Sequence, residues 1–172
     1  LKNRADKGFN VIQAVLVYST KELESVNKMY WGGADRINDE EYWQHVERII
    51  KMADKLGLYM ALLPSWGSLL KNNLITSENV LVYGRFLAER LEKYSNIIWV
   101  LGGDIKADNY VEIYRKLGRY FKEKMPDKLI TFHPFGRCAS SMWFADDSWL
   151  DFNMFQSGHR RYGQRKGDGD YP

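Results

Sequence analysis

Short apolar runs alternate with amphipathic stretches along most of the chain. The runs have the length of β-strands and lie at residues 9–18, 58–63, 97–101, 129–133 and 152–156. Between the first two runs, Tyr42, Val46, Ile49 and Ala53 recur at helical spacing. Strands that are buried on both faces are apolar throughout, so this alternation predicts the α/β class, with a parallel sheet covered by helices.

Capping residues and glycines mark the expected ends of the helices. Asn38, with Glu41 three residues later, fits a capping box, and Ser77 can cap the next helix. Gly8 and Gly57 suit the left-handed position that follows a helix. Further helices are expected at about residues 108–123 and, as a short or irregular stretch, at 141–147.

The strand count predicts part of a closed barrel. No strand is followed by a phosphate loop, because Gly102-Gly103-Asp104 lacks both the Gly-x-Gly-x-x-Gly spacing and a Walker lysine. A (β/α)₈ TIM barrel is therefore favoured over a nucleotide-binding fold. Five strands preceded by the end of a helix take places two to six of eight, so residues 1–172 are expected to be the central part of a single barrel domain.

Composition narrows the classes of partner. The net charge of +3 and the pI near 8.8 arise from scattered acids and bases without a basic stripe, which disfavours nucleic acid. Cys138, the single cysteine, permits no internal disulfide and no thiolate metal cluster. No apolar run is long enough to cross a bilayer, so no membrane partner is expected.

Polar and aromatic residues follow each predicted strand, at the end of a parallel barrel where catalytic groups lie. They are Tyr18-Ser19, Pro64-Ser65-Trp66, Gly102-Gly103-Asp104, His133-Pro134 and Gln156-Ser157-Gly158-His159. Strand alternation places Asp104 on one face with Ile98, Val100 and Gly102. Asp104 is thus a candidate acid in the barrel mouth, and a carboxylate that caps the following helix is the alternative.

Trp31, Trp66 and Trp143 lie outside the periodic segments and could stack on sugar rings, although core packing is the commoner explanation for any single tryptophan. His133 and His159 each follow a strand alone, without a spacing typical of metal ligands.

Several longer motifs together resemble one family. They are GFNVIQ (8–13), LLPSWG (62–67), YGRFL (83–87), NIIWVLGGD (96–104), HP (133–134) and DFNMFQSGH (151–159). These motifs are similar to those of the apiosidase-like glycoside hydrolases, which are related to glycoside hydrolase family 140. The resemblance runs nearly end to end.

The resemblance implies a TIM barrel of the large clan of retaining glycosidases. Asp104 falls on that clan's acid/base position at the end of the fourth strand, and a Glu beyond Pro172 would be the nucleophile. The implied substrate is a plant cell-wall pectic polysaccharide or oligosaccharide, from which some members release apiose. The implied substrate-binding residues are Gln13, Trp66, His133, Gln156 and His159, and no cofactor is implied.

Two positions differ from the clan's usual pattern, and stereochemistry stays open because of them. The clan usually has Asn-Glu where this chain has Gly103-Asp104, and Arg where it has Gln13. The family resemblance also suggests a periplasmic or extracellular location. In the full-length protein, the chain is expected to pack against the remainder of the barrel and a C-terminal accessory domain.

Two other functions stay open. A metal-dependent barrel hydrolase could use Asp104, His133 and His159 as ligands, because all three follow strands. A non-catalytic carbohydrate-binding domain could keep the aromatic side chains without the chemistry.

Overall fold

A four-stranded parallel sheet, in the order β1-β2-β3-β4, runs through the molecule. The computed structural model describes residues 1–18 and 40–157. The strands are β1 (Val11–Val15), β2 (Tyr59–Leu63), β3 (Ile97–Ile105) and β4 (Ile130–Pro134). Their order in the sheet follows their order in the chain, as in one wall of a barrel. The predicted α/β class is confirmed.

Helices connect the successive strands. They are α1 (Lys2–Ala5), α2 (Glu40–Lys55), α3 (Ser68–Lys71), α4 (Val80–Leu91), α5 (Val111–Lys124) and α6 (Ser141–Phe144). Helices α4 and α5 contact each other, and α2 and α5 contact strands of the sheet. In the two described parts of the chain, no helix is long and apolar enough to span a membrane.

The sheet separates two apolar clusters. Ile97, Trp99 and Leu101 belong to the large cluster that also contains the buried helix residues. Val100 packs on the other side with Ala61 and Leu63, and Ile98 lies against them. We refer to this second side as the inner face of the sheet. The predicted alternation along β3 is confirmed for residues 97–101, since successive side chains leave a strand on opposite sides.

The predicted fifth strand, at residues 152–156, is wrong as a member of the parallel sheet. Only Phe155–Gln156 (β6) form a strand, and β6 pairs antiparallel with β5 (Cys138–Ala139). The preceding residues follow β4 through separate hydrogen bonds: Asp151 N–H donates to the Ile130 carbonyl (2.9 Å), and the Thr131 hydroxyl donates to the Phe152 carbonyl (2.7 Å). Only the first of these bonds joins two backbones, so the segment does not form a continuous ladder with β4.

Candidate active site

Backbone hydrogen bonds join the loops at the carboxyl ends of β1, β2 and β3. Trp66 N–H donates to the Val17 carbonyl (2.8 Å), and Gly67 N–H donates to the Gly103 carbonyl (3.0 Å). The Ser68 hydroxyl donates to the Tyr18 carbonyl (3.1 Å). These bonds fix the segments after three strands relative to one another, so Tyr18, Trp66 and Gly103 share one edge of the sheet.

The end of β3 carries an irregularity that sets the position of Asp104. Gly102 pairs with His133, and the next pair is Ile105 with Pro134, so Gly103 and Asp104 are inserted between two pairs of the ladder. Gly102, Gly103 and Asp104 all have positive φ, at 94°, 114° and 53°. An insertion of this kind bends a strand and redirects its side chains.

Close contacts explain the two glycines. A Cβ on Gly102 would lie 2.4 Å from the His133 carbonyl oxygen, and a Cβ on Gly103 would lie 2.9 Å from Trp66 Cε3. Neither position has room for a side chain in this conformation. Asp tolerates the left-handed region better than most residues, so Asp104 can follow them.

Asp104 combines partial exposure with a buried, unpartnered atom. The residue as a whole is half-buried, whereas its Oδ1 is buried and has no hydrogen-bond partner in the part of the chain that the structure describes. Buried carboxylate oxygens normally accept hydrogen bonds. An oxygen without one at the end of a barrel strand suits a carboxyl group that meets a ligand.

His133 lies directly beside Asp104. The backbone N–H of Asp104 donates to His133 Nδ1, at 3.2 Å. Burial lowers the pKa of His133 below its ordinary value of 6.5, and the nearby charge of Asp104 opposes this shift. His133 is accordingly neutral at neutral pH, with Nδ1 as acceptor and Nε2 as donor.

Aromatic rings line the same edge. The Trp66 ring lies 5.6 Å from the His133 ring and 5.5 Å from the Tyr18 ring, measured between centroids. Tyr18 is 51% exposed, and Trp66 is half-buried. Tyr18, Trp66 and His133, from three different strand ends, form what we refer to as the aromatic row.

The remaining predicted site residues lie apart from the aromatic row or outside the described residues. Gln13 is exposed on β1 and pairs with Ala61 of β2, which in turn pairs with Ile98 of β3. Ile98 precedes Gly102, the partner of His133, by four residues. At about 3.3 Å per residue, Gln13 is about 13 Å below the level of the row. His159 and Trp31 lie outside the described residues.

Gln156 and Trp143 are described in detail. Gln156 is on β6 opposite Cys138, and its Oε1 is buried without a partner in residues 1–18 and 40–157. Trp143 is half-buried against the large apolar cluster, and its Nε1–H donates to Asp108 (2.9 Å). The Gln156 Oε1 therefore keeps a free acceptor among the described residues, whereas the contacts of Trp143 are those of a residue that packs on the core.

Tyr18 was not among the predicted substrate-binding residues. Its position directly after the first strand was visible in the sequence, but its contact with Trp66 depends on how β1 and β2 pair. The pairing itself carries no local sequence signal.

No described part of the chain brings together three His, Cys, Asp or Glu side chains that could hold a metal ion. The predicted metal alternative needed His159 as its third ligand, which lies outside residues 1–18 and 40–157. That alternative stays a prediction.

Comparisons with known proteins agree with the geometry. A glycoside hydrolase family 5 protein from Bacteroides vulgatus is 37% identical, with a TM-score of 0.83 over 95% of this chain and 37% of its own. A second structure, described as a glycoside hydrolase, is 38% identical, with a TM-score of 0.83 over 99% of this chain and 40% of its own. The chain thus spans about two fifths of their length.

A more distant structure shares the fold alone. The catalytic domain of Thermobifida fusca endoglucanase Cel5A is 14% identical, with a TM-score of 0.52 over 84% of this chain and 43% of its own. No curated protein matches the chain. Residues 1–170 match the family described as apiosidase-like, catalytic domain. The chain therefore belongs to the apiosidase-like family and carries part of a glycoside hydrolase barrel fold.

Proposed function

We propose that the full-length protein hydrolyses a glycosidic bond in a pectic plant cell-wall glycan and releases apiose, with Asp104 as the general acid. The observation that carries the proposal is the placement of Asp104. Its carboxyl group follows a two-residue insertion at the end of β3 and has a buried oxygen without a partner in the described chain. The family match supports the reaction class.

Glycoside hydrolysis needs two carboxyl groups. One delivers a proton to the leaving oxygen, and the other attacks the sugar carbon or activates water from the opposite side of the ring. Asp104 takes the first role in our proposal. Asp147 and Asp151 are unsuited to the second, because Asp147 pairs with Arg115 (2.9 Å) and Asp151 pairs with Lys122 (2.7 Å).

Asp151 is also at the wrong end of the sheet. Its carboxylate accepts from the N–H of Ile130 (2.8 Å), the first residue of β4, whereas Asp104 lies near the carboxyl ends of the strands. We propose that the second carboxylate is a Glu on a later strand of the full-length protein, as the family resemblance implies.

The aromatic row supports sugar binding. The apolar C–H face of a sugar can pack on Trp66 and on the exposed ring of Tyr18, while the His133 Nε2–H can donate to a hydroxyl. Gln156 Oε1 offers an acceptor for a second hydroxyl. Contacts from Gln13 and His159 stay predictions, because Gln13 lies below the row and His159 is outside the described residues.

The variant Asp104→Asn tests the proposal in the full-length protein. The amide keeps the shape of the side chain but cannot deliver a proton. We expect kcat/KM on a phenyl apioside, which has a poor leaving group, to fall by about 10²- to 10⁴-fold, the usual loss on removing a general acid. Initial rates of phenol release measure the effect.

Asp108→Asn is the matched control. Asp108 also follows β3, but it accepts the hydrogen bond from Trp143 and should leave kcat/KM within a few-fold of the wild-type value. An Asp104→Asn variant with unchanged kcat/KM on phenyl apioside, in an enzyme that is active on it, contradicts the assignment of the acid.

A further inference from the structure

We propose that His133 is a positioning residue, whose Nδ1 holds the backbone of Asp104 in the conformation that directs the acid toward the substrate. The inference rests on the proposed role of Asp104 as the general acid. It gives His133 a second task. Its Nε2–H contacts a substrate hydroxyl in our proposal, and its Nδ1 accepts from the backbone N–H of Asp104.

The geometry at the end of β3 calls for such a partner. The regular ladder between β3 and β4 stops at the pair Gly102–His133 and resumes at Ile105–Pro134, so neither Gly103 nor Asp104 has a cross-strand partner. The Gly103 carbonyl is bound by Gly67 N–H (3.0 Å). The N–H of Asp104 is bound by the His133 side chain (3.2 Å).

The hydrogen bond offsets an unfavourable backbone conformation. Asp104 has a φ of 53°, in the left-handed region that is unfavourable for residues with a Cβ, although Asp tolerates it better than most. Rotation of this backbone would move the carboxyl group by ångströms. A displacement of about 1 Å in a catalytic group can cost about 10²-fold in rate.

The bond also requires one protonation state. An N–H can donate to Nδ1 only while Nδ1 carries a lone pair, which is absent in the imidazolium form. Asp104 is the charged neighbour of His133 in the described chain, and β2 presents the uncharged Trp66 ring to it. Protonation of His133 would place its Nδ1–H opposite the N–H of Asp104, and the hydrogen bond that holds the Asp104 backbone would be lost.

Two variants separate positioning from packing. His133→Asn keeps an acceptor oxygen close to the place of Nδ1, whereas His133→Leu removes the acceptor and keeps the side chain bulky. Both are compared in the full-length protein on phenyl apioside and on dinitrophenyl apioside. The dinitrophenolate leaves without protonation, so its release does not depend on the acid.

A positioning role predicts an unequal loss. His133→Leu loses the Nε2–H contact on both substrates alike, so positioning shows in the difference between them: we expect kcat/KM to fall about 10- to 100-fold further on phenyl apioside than on dinitrophenyl apioside. His133→Asn also lacks the Nε2–H contact, so it should lose kcat/KM by the same factor on both substrates and keep the ratio of the two values within a few-fold of wild type. Loss of packing or of a hydroxyl contact alone would instead lower both values of His133→Leu together, and equal losses in that variant overturn the proposal.

A second readout needs no substrate. In ¹⁵N-aspartate-labelled protein, the Asp104 amide resonance should have a titration component below pH 6.5, the ordinary His value, and this component should vanish in His133→Asn. An amide shift with the same pH dependence in both proteins overturns the proposal. Should His133→Leu fail to fold, the comparison of wild type with His133→Asn still decides.

The outcomes distinguish the two proposals. A fully active Asp104→Asn variant rejects Asp104 as the acid. If the wild-type protein still shows the histidine-linked titration of the Asp104 amide, the contact between His133 and Asp104 stands. An inactive Asp104→Asn variant, together with a His133→Leu variant equal to wild type on phenyl apioside, rejects both proposed tasks of His133 and leaves Asp104 as the acid.

Discussion

At the scale of single residues, Gly103 shows how closely the backbone conformation and the orientation of Asp104, the proposed acid, depend on each other. Its φ of 114° is in a region that residues with a Cβ rarely adopt, and its missing side chain leaves room for the Trp66 ring. The peptide bond to Asp104 follows directly. A change at Gly103 is therefore also a change in the orientation of the carboxyl group.

The variant Gly103→Ala is expected to lose stability and activity together. The backbone strain costs roughly 1–3 kcal/mol, and the contact of 2.9 Å with Trp66 adds to it. We expect kcat/KM to fall at least about 10-fold because Asp104 is displaced. Urea unfolding and steady-state kinetics measure the two effects.

Gly57→Ala is the matched control, because Gly57 also has positive φ (68°) but would place its Cβ in open space. It should cost roughly 1–2 kcal/mol of stability and leave kcat/KM unchanged. Equal effects of the two variants on activity would show that the conformation at Gly103 does not matter for catalysis.

Trp66→Ala is expected to weaken substrate binding more than folding. Trp66 is half-buried and contacts the rings of Tyr18 and His133, so part of its face is free for a sugar. We expect a rise in KM with a smaller change in kcat.

Trp99→Ala is the contrast, because Trp99 is fully buried and its truncation should cost about 3–5 kcal/mol of unfolding free energy. A similar loss of stability in Trp66→Ala would place Trp66 in the core.

The sequence predicted the residues of this region better than their conformation. Asp104, His133 and Trp66 were identified as strand-end residues, because the apolar runs before them end clearly. The inserted residues in β3 and the bond from Asp104 to His133 could not be predicted, since they depend on the register between strands about 30 residues apart.

At the scale of secondary structure, Asp151 binds the first residue of β4, Ile130. Its carboxylate accepts from Ile130 N–H (2.8 Å) and from Lys122 Nζ (2.7 Å) on α5, and so joins a strand to a helix. This end of the sheet lies opposite the aromatic row. Stability and catalysis should therefore separate at this residue.

The variant Asp151→Ala should lower the unfolding free energy by about 1–3 kcal/mol, because it leaves the Ile130 N–H without its partner. We expect kcat/KM to stay within a few-fold of wild type. Asp146→Ala, at an exposed carboxylate in the same connecting segment, should change neither quantity. A large loss of kcat/KM in Asp151→Ala with stability intact would make Asp151 a candidate for the second carboxylate.

Element boundaries show which sequence signals were reliable. Four apolar runs became parallel strands, but β3 continues to Ile105 because its glycine-rich end still pairs with β4. Helix α4 begins at Val80 and not near Ser77. The Asn79 side chain explains this difference, since it binds the Thr76 N–H (2.8 Å) and the Leu74 carbonyl (2.9 Å) and so stabilises a turn before the helix.

At the scale of the whole molecule, the inner face of the sheet is only partly covered. Val11, on the inner side of β1 with Gln13, is 40% exposed, and Tyr59, beside it on β2, is 49% exposed. Leu129, just before β4, is 49% exposed. In a closed barrel such side chains fill the interior.

Residues 1–172 expressed alone are expected to be inactive and to associate. The exposed apolar side chains and the outer edge of β1 favour pairing with other copies, whereas residues 151–152 already bond to part of β4. Analytical ultracentrifugation and phenyl apioside assays, with the full-length protein as reference, test this expectation. A stable monomer with turnover that is abolished by a carboxylate substitution within the chain would contradict both the strand count and the two-carboxylate assignment.

The run Gly102-Gly103-Asp104 also limits how the end of β3 can change during evolution. All three residues have positive φ, and a Cβ at either glycine would meet a different neighbouring strand end. Any single substitution at either glycine adds a Cβ that clashes with a neighbouring residue, His133 for Gly102 and Trp66 for Gly103. Mutant libraries that vary the two glycine codons one at a time should therefore return almost only glycine, and viable alternatives should be found among simultaneous replacements that also alter Trp66 or His133.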